Sequence, residues 1–497
     1  MGLSYATQYT FLMPEGVLVS RSGNPVAAVE ITFTTMERQQ PDAKTYDAIV
    51  AKDGTGDYTT LQDAINAAPT QHVTPWLIFV KNGLYNEHVN IPANKPHIHI
   101  IGQNRDKTVV FNDLLSGGDT PKNVGTDLGA TVTVKSNDCF FENITLENSH
   151  GHEQQSGPQA LALNTMGDRI AFNNVALLSY QDTWITTSTS NNRHYIKNSL
   201  IEGAVDFIYN SGNVYLDGDT LEINRPSGGY IVAPSHAADV KWGYVFQNNI
   251  LRAHPGVNVT DVWLGRPWHN SPKTVYINLK TYITIPAKGW HNTMGGLPVL
   301  WAEYNTVDKD GNPVDLSQRE SYYYYTNADG TKTEVFNVKN TLTAEEAAAY
   351  TIENVMGGDD NWQPNLMCEA CNAPVVKQEG TQVTWDAVPY AICYVVTQGD
   401  EVLAITTETS YSLPASAKAS EAEKIITVQA VNEFGGLSKL GKANDATGIL
   451  QAEATGELTL EGVYAADGTQ LTTPSRGLNI VKYRDSKGNV LVKKVLY

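Results

Sequence analysis

A short strand-like pattern returns along the middle of the chain, and it limits the possible folds more than any other feature. In this pattern an apolar residue is followed by two polar or small residues. The copies start at Phe141, Phe172, Ile196, Leu216 and Phe246, and a weaker copy starts at Ile277. Successive starts lie 31, 24, 20, 30 and 31 residues apart. This spacing is typical of stacked coils of about 20 to 24 residues that carry loop insertions.

Four copies of the pattern place an asparagine at the same offset, at Asn143, Asn174, Asn198 and Asn248. Stacked asparagine side chains at an inner turn hydrogen-bond to each other and to the backbone, which satisfies polar groups at the corners of a coil. We therefore predict an all-β chain built on a right-handed parallel β-helix. The alternative is a β-sandwich, whose short strands would be joined by hairpin turns at a shorter spacing.

Two aspartates share an equal offset within this repeat. Asp182 lies ten residues after Phe172, and Asp206 lies ten residues after Ile196. If the two segments are neighbouring parallel strands, both carboxylates lie on one edge of adjacent coils, about 4.8 Å apart in backbone spacing. Like charges this close cannot both ionise freely, so one carboxylate stays charged and the other keeps a proton. We predict Asp206 as a nucleophile and Asp182 as an acid.

Three further residues complete the predicted site. Arg266 can fix the charged aspartate through a forked, charge-assisted hydrogen bond. The side-chain amides of Gln159 and Gln181 can donate to a developing oxyanion without adding a titrating group. The alternative is that the charged residues form a surface ion network and that the glutamines belong to a polar ladder.

Length and composition indicate several modules and exclude some partners. A chain of 497 residues is too long for one ordinary domain. With 35 Lys and Arg against 53 Asp and Glu, the formal charge of −18 argues against nucleic acid as the main partner. Cys368 and Cys371 have the spacing of half a zinc site, but no second pair follows, so a local disulfide or two free thiols is expected.

The pattern of strands and turns predicts four modules. Residues 1–37 are expected to be the tail of a truncated immunoglobulin-like domain, and residues 46–364 the β-helix. Residues 372–444 resemble a fibronectin type III domain, and residues 447–497 resemble the sorting modules of some exported bacterial proteins. No apolar run reaches the roughly 18 residues of a membrane span, so we expect a soluble chain. The strand-like start predicts a piece of a longer protein whose signal peptide has been removed.

Five motifs in the main body are recognisable together. They lie at residues 56–60, 159–163, 180–183, 205–208 and 264–268. With these motifs in this order, residues 46–364 resemble the pectin methylesterases, of the carbohydrate esterase type. The resemblance implies a right-handed parallel β-helix, no metal and no cofactor. It also implies methylesterified homogalacturonan (pectin) as the substrate, with the enzyme secreted, periplasmic or on the cell surface.

The resemblance also implies a role for each site residue. Asp206 would attack the C6 methyl-ester carbonyl, and Asp182 would protonate the departing methanol and later take a proton from the attacking water. Gln159 and Gln181 would hold the oxyanion, and Arg266 would orient Asp206. The resulting function is the hydrolysis of pectin methyl esters through an acyl-enzyme.

Four aromatic residues within these motifs are expected to bind the sugar, because flat rings cover the apolar faces of pyranoses. They are Trp268, Trp184, Tyr180 and Phe207. The chain departs from the family pattern at a few positions. Trp184 stands where Leu is usual, Ala204 where Thr is usual, and Tyr209 and Asn210 where Phe and Gly are usual.

Two other functions are compatible with a solenoid of this kind. A pectate lyase would need a calcium-binding acidic cluster, and a polygalacturonase would need further acids around the cleft. A carbohydrate-binding solenoid without catalysis would keep the aromatic residues but would have no use for an ionised Asp206.

Overall fold

The computed structural model describes residues 8–34, 38–292, 294–414, 425–443, 459–465, 470–471, 478–484 and 490–496. Its main body is a stack of coils in which the strands of three long sheets run parallel to their neighbours. The eleven strands of sheet 1 are Ala48–Val50, Trp76–Val80, Ile98–Gly102, Phe140–Glu142, Ile170–Asn173, Arg193–Lys197, Asn213–Asp217, Tyr244–Gln247, Lys273–Ile277, Leu300–Tyr304 and Lys339–Thr341.

The other two sheets complete the coils. The eight strands of sheet 2 are Gly83–Asn86, Thr108–Asn112, Thr145–Asn148, Ala176–Leu178, Leu200–Gly203, Thr220–Ile223, Ile250–Ala253 and Lys280–Thr281. The seven strands of sheet 3 are Val89–Ile91, Val132–Val134, Leu163–Thr165, Trp184–Ile185, Val205–Asn210, Gly229–Pro234 and Val262–Gly265. Because successive coils pair in parallel, the predicted right-handed parallel β-helix is confirmed, and the sandwich alternative for this region is wrong.

Apolar side chains of all three sheets fill the inside of the coils. Aromatic rings stack from one coil to the next, with centroids 5.1 Å apart for Phe141 and Phe172 and 4.2 Å apart for Phe246 and Tyr276. Stacks of this kind add to the burial of apolar area that drives folding. The repeat seen in the sequence therefore marks the inward-facing positions of sheet 1.

The register of the last predicted repeat is wrong by one residue. Phe246 pairs with Tyr276, so this copy starts at Tyr276 and not at Ile277. A slip of one residue reverses the face that a strand residue occupies. Ile277 accordingly packs in the cluster on the outer face of sheet 1, whereas Tyr276 lies in the core.

The predicted asparagine ladder forms, but in two parts. Asn174 Nδ2 donates to Asn143 Oδ1 at 2.7 Å, and Asn278 Nδ2 donates to Asn248 Oδ1 at 2.9 Å. Between these parts the ladder position is occupied by Gly218, which has no side chain to continue the ladder beyond Asn198. Each ladder asparagine has a positive φ, a conformation that asparagine tolerates better than most residues.

The chain also forms short helices and two antiparallel hairpins. The helices are Leu61–Ala67, Thr126–Gly129, Ser149–Gln154, Ala344–Ala348, Ile352–Met356 and Pro364–Met367. One antiparallel hairpin joins Gln8–Met13 to Val29–Thr34, and another joins Tyr323–Thr326 to Lys332–Val335. No helix in the described ranges is both long enough and apolar enough to cross a bilayer.

Two further groups of strands follow the coils. One group has a three-stranded and a four-stranded antiparallel sheet, which pack around a core of their own. Its strands are Val376–Glu379, Gln382–Trp385, Cys393–Gln398, Glu401–Thr406, Ser410–Ser412, Ile426–Val431 and Gly441–Lys442. The last group is an antiparallel sheet of Thr459–Ala465, Gln470–Leu471, Leu478–Arg484 and Val490–Leu496. The immunoglobulin-like, fibronectin-like and sorting-module assignments stay predictions, as do their boundaries.

The two-sheet group of strands from Val376 to Lys442, which we call the sandwich, packs against the outer face of sheet 1. The Tyr46 hydroxyl donates to the carbonyl of Gly435 at 2.6 Å, and the buried Glu142 carboxylate accepts from the backbone N–H of Leu437 at 2.8 Å.

Cys368 and Cys371 are free thiols, so of the two alternatives for this pair the local disulfide is wrong.

Candidate active site

The two aspartates lie on adjacent coils at matching positions. Trp184 pairs with Ile208 in sheet 3, so Asp182 and Asp206 each stand two residues before the pair. The N–H of Asp182 donates to the carbonyl of Val205 at 3.0 Å. Both residues adopt left-handed backbone conformations, with φ of 64° and 52°. Such conformations are uncommon for residues other than glycine and concentrate at functional sites.

A β-bulge turns Asp206 away from the core. Strand Val205–Asn210 carries one more residue than its partner between Val205 and Ile208. Bulges redirect side chains near active sites, and here Asp206 turns toward Arg266 while Phe207 enters the core. Gly203 permits this turn, because a Cβ there would lie 2.2 Å from the Cβ of Phe207.

Arg266 donates two hydrogen bonds to the carboxylate of Asp206. Nε donates to Oδ1 at 2.8 Å and Nη2 donates to Oδ2 at 2.5 Å. Asp206 is only 6% exposed, so the pair is poorly screened by solvent. The ring of Tyr230 lies under the guanidinium, with its centroid 4.1 Å from Cζ. The predicted ion pair is therefore a buried fork and not a surface network.

Different groups shift the pKa values of the two aspartates. Burial raises the pKa of Asp206, and the hydrogen bonds and charge of Arg266 act in the opposite direction. Burial and then the charge of Asp206 raise the pKa of Asp182 well above its usual range. Of the two aspartates only Asp206 accepts hydrogen bonds from Arg266, so Asp206 is the more readily ionised of the pair and Asp182 the more readily protonated.

Tyr209 is a site residue for which the sequence analysis predicted no role. Its hydroxyl donates a hydrogen bond to Asp182, and this bond lowers the pKa of Asp182 against the effect of burial. Its ring packs edge-on against Trp268, with centroids 5.5 Å apart. The sequence did contain a signal for this role. Tyr209 stands where the family usually has Phe, and it therefore adds a hydroxyl group three residues after Asp206.

Gln159 and Gln181 lie on neighbouring coils, where the N–H of Ala160 donates to the carbonyl of Gln181 at 3.1 Å. Within the described ranges neither side-chain amide has a hydrogen-bond partner in the protein, so both are available to a ligand. The loop that follows strand Thr108–Asn112 approaches Gln159 closely, because a Cβ on Gly117 in that loop would lie 1.9 Å from Gln159 Oε1. The two amides therefore stay candidates for oxyanion donors.

The four predicted aromatic contacts divide into two pairs. Trp268 and Tyr180 are half-buried and remain candidates for sugar contacts. The prediction for Trp184 and Phe207 is wrong, because both are fully buried in the core of the β-helix. The indole Nε1 of Trp184 donates to Thr165 Oγ1 at 2.9 Å, and its ring packs against Phe172 with centroids 5.9 Å apart. Neither side chain can reach a ligand in the cleft.

The arrangement combines one carboxylate held by an arginine, one carboxyl group whose pKa is raised well above its usual range and two unpartnered amides. An anionic oxygen, a proton and neutral N–H donors are the groups needed for acyl transfer by a carboxylate nucleophile. A hydrolase acting on glycosidic bonds would also use two carboxyl groups, but it has no need of an arginine fork on one of them.

Comparison with known proteins places the main body in a family. Residues 47–345 match the family model described as Pectinesterase. Pectinesterase A of Dickeya dadantii (strain 3937) is 29% identical over 370 residues, which cover 68% of this chain and 97% of that protein. Probable pectinesterase/pectinesterase inhibitor 23 of Arabidopsis thaliana is 28% identical over 325 residues, covering 64% of this chain and 53% of that protein. The chain spans about half the length of such plant relatives.

Solved structures agree with the fold. The deglycosylated pectin methylesterase from Aspergillus niger superposes with a TM-score of 0.51 at 26% identity, over 65% of this chain and 97% of that one. Pectin methylesterase from carrot superposes with a TM-score of 0.52 at 24% identity, over 64% and 96% of the two chains. Because the family model covers more than half of its length, the chain belongs to the pectinesterase family.

Proposed function

We propose that this protein hydrolyses the methyl esters of galacturonate units in pectin and releases methanol. The observation that carries the proposal is the Asp206 carboxylate, which Arg266 holds at 2.8 Å and 2.5 Å beside the proton-bearing Asp182. Membership of the pectinesterase family supports methylesterified homogalacturonan as the substrate. The proposed chemistry uses side chains of this chain and water only.

In the first half of the reaction, an oxygen of Asp206 attacks the carbonyl carbon of the methyl ester. Negative charge develops on the carbonyl oxygen, where the amide N–H groups of Gln159 and Gln181 can stabilise it. The tetrahedral intermediate collapses, the bond to the methoxy oxygen breaks, and Asp182 gives its proton to that oxygen. Methanol leaves, and the substrate carbonyl is joined to Asp206 as an anhydride.

In the second half, Asp182 is ionised and acts as a base. It takes a proton from a water molecule, whose oxygen attacks the substrate carbonyl of the anhydride. The bond to Asp206 breaks, which returns its carboxylate to Arg266 and releases galacturonic acid, whose carboxyl proton, the second hydrogen of the water, is lost to solvent. Asp182 ends the cycle protonated, as it began.

The test is to incubate the full chain with highly methylated pectin and to measure methanol, acid and unsaturated products, then to repeat the assay with Asp206→Asn. Methanol and acid in equal amounts, both lost in the variant, are expected. Unsaturated products would indicate a lyase, reducing ends without methanol would indicate a polygalacturonase, and binding without products would indicate a non-catalytic solenoid. Each of these three results contradicts the proposal.

We also propose that the protein works outside the cytoplasm, in a secreted, periplasmic or cell-surface location. The reason is the substrate, because a polymer of plant cell walls cannot reach an enzyme in the cytoplasm. Fractionation of the producing cells, followed by immunoblotting, tests this location, and a purely cytoplasmic signal would contradict it.

A further inference from the structure

A second cluster of titratable side chains lies on the outer face of sheet 2, away from the aspartates. We call it the Glu–His cluster, and it consists of Glu202, Glu222, His254 and His152. Both glutamates stand on adjacent strands, Leu200–Gly203 and Thr220–Ile223, and their side chains are only 1% and 4% exposed. The side chains of His254 and His152 are 23% and 29% exposed, so the cluster is reached from solvent on the histidine side.

His254 Nδ1 lies between the two buried carboxylates. It is 2.8 Å from Glu202 Oε2 and 2.9 Å from Glu222 Oε1. A ring nitrogen carries at most one hydrogen, so it cannot donate a full hydrogen bond to both oxygens at once. One of the two close contacts is therefore incompletely satisfied by hydrogen bonding. A cation between the three atoms would contact all of them, because they lie within 4.8 Å of one another.

We propose that the Glu–His cluster binds one divalent transition-metal cation of the Zn²⁺ type. One oxygen from Glu202, one from Glu222 and Nδ1 of His254 are its ligands, and all three atoms lie within 4.8 Å of one another. His152 Nδ1 lies 2.7 Å from Glu202 Oε1, the oxygen that does not face His254, so His152 supports the cluster from behind and is not one of its three ligands. Imidazole together with carboxylate is a ligand set that favours zinc over calcium or magnesium.

The geometry needs only a small adjustment. In a tetrahedral zinc site with bonds of about 2.0 Å, neighbouring ligand atoms are about 3.3 Å apart. The contacts of 2.8 Å and 2.9 Å around His254 Nδ1 would therefore open by about half an ångström. His254 follows the strand Ile250–Ala253, and its backbone N–H donates to the carbonyl of Ile223 at 2.8 Å, so the adjustment would come from its side chain.

Partners behind the ligands hold the carboxylates in place. Arg252 Nε donates to Glu222 Oε2 at 2.8 Å, which leaves Oε1 directed at the cluster. Asn224 Nδ2 donates to Glu202 Oε1 at 2.9 Å. Metal-binding carboxylates are usually oriented by hydrogen bonds of this kind. The guanidinium of Arg252 also offsets part of the negative charge of the two glutamates, because its Nη2 lies 2.8 Å from Glu222 Oε2.

The cation takes the lone pair of His254 Nδ1, so a hydrogen on that nitrogen moves to Nε2 or leaves to solvent, and each glutamate contributes an oxygen lone pair. This site does not depend on the proposed esterase function. It is connected to the aspartate loops all the same, because Thr183 Oγ1 donates to the carbonyl of Glu202 at 2.7 Å.

The test uses the full chain after treatment with a chelator, titrated with Zn²⁺ at neutral pH by calorimetry. We expect one cation per chain and a melting temperature that rises with Zn²⁺ concentration. His254→Gln should weaken binding at least about a hundredfold, since it removes the nitrogen ligand. His88→Gln is the matched control, because His88 contacts the carbonyl of Ala130 outside the cluster and should leave binding unchanged.

A second measurement needs no variant. Co²⁺ added to the wild-type chain should give the intense visible absorption of a four- or five-coordinate site, and Zn²⁺ should displace it. The proposal is overturned if the wild-type chain shows no saturable Zn²⁺ binding, if His254→Gln binds as well as the wild type, or if Co²⁺ gives only the pale spectrum of the hydrated ion. The cluster would then be an ion network in which a protonated imidazole neutralises the glutamates.

Discussion

Arg266 contacts both carboxylate oxygens of Asp206, through Nε at 2.8 Å and Nη2 at 2.5 Å. The two residues are 60 positions apart in the chain and meet because their strands lie near each other in sheet 3. A planar guanidinium matches the two oxygens of a carboxylate, whereas an ammonium contacts them as a point charge. The fork therefore fixes the orientation of Asp206 as well as its charge.

Arg266→Lys is expected to keep a positive charge near Asp206 and to lose the fork. The nucleophile would be less well oriented, and we expect kcat for methanol release to fall at least about tenfold, which corresponds to about 1.4 kcal/mol in the barrier. The measurement is steady-state methanol release from methylated pectin. Arg105→Lys is the control, because Arg105 pairs with the exposed Asp106 and should keep the wild-type rate. Equal rates for both variants would contradict the importance of the fork.

Tyr209 is expected to act on the reaction through Asp182. Its hydroxyl hydrogen bond lowers the pKa of Asp182, because it favours the ionised carboxylate. Tyr209→Phe removes this bond, so the pKa of Asp182 should rise further. Asp182 must be protonated in the first half of the reaction, and loss of that proton limits kcat/KM at alkaline pH. The alkaline limb of kcat/KM should therefore move to higher pH in Tyr209→Phe.

The control for this shift is Tyr195→Phe. Tyr195 also donates from its hydroxyl to a carboxylate, Asp217 at 2.6 Å, but on sheet 1. It should leave the pH profile unchanged. A profile of Tyr209→Phe that coincides with the wild-type profile, at whatever absolute rate, would rule out an effect of Tyr209 on Asp182.

The coils and the aspartate pair could be predicted because both depend on a period along the chain. The equal offsets of Asp182 and Asp206 from Phe172 and Ile196 survive in the structure, where Phe172 pairs with Ile196 in sheet 1. In a stacked solenoid, residues at the same position of successive repeats are neighbours in space. Arg266 follows a strand that lies two coils beyond the strand of Asp206, and its place at the site was predicted from the family motif and not from the period.

The direction of individual side chains near the bulge could not be predicted in the same way. A strand alternates its faces, but the left-handed residues Asp182 and Asp206 interrupt the alternation. Beyond each interruption the next aromatic ring, Phe207 or Trp184, turns into the core. A motif match places residues near a site, but backbone dihedrals decide which of them face it.

Because Trp184 is buried and Trp268 is only half-buried, we expect their substitutions to have different effects on stability and on KM. Trp184→Ala should lower the free energy of unfolding by about 3 to 5 kcal/mol, because it leaves a cavity in the core. The KM of the folded variant should stay unchanged. Trp268→Ala, at a half-buried position, should raise KM about fivefold through the lost ring contact with the sugar. Denaturant unfolding and kinetics on the same preparations measure both effects. A raised KM in Trp184→Ala with unchanged stability would contradict the assignment.

Glu142 makes the stability of the chain depend on pH at the contact between sheet 1 and the sandwich. Burial raises the pKa of Glu142 from 4.5 to about 7, although Asn173 and the N–H of Leu437 act in the opposite direction. The folded chain thus holds this proton more tightly than the unfolded chain. The stabilising contribution is complete below about pH 4.5 and is lost as the pH rises through about 7.

Glu142→Gln should remove this contribution to the pH dependence, because an amide does not titrate. The free energy of unfolding of the wild type, relative to that of the variant, should fall between about pH 4.5 and 7 and stay level at higher pH. Other groups titrate equally in both proteins, so the difference isolates Glu142. Glu401→Gln, at an exposed position on the sandwich, is the control and should follow the wild-type curve. A constant difference between wild type and Glu142→Gln across this range would mean that Glu142 is already ionised in the folded chain at acidic pH, with its hydrogen bonds from Asn173 and Leu437 outweighing burial.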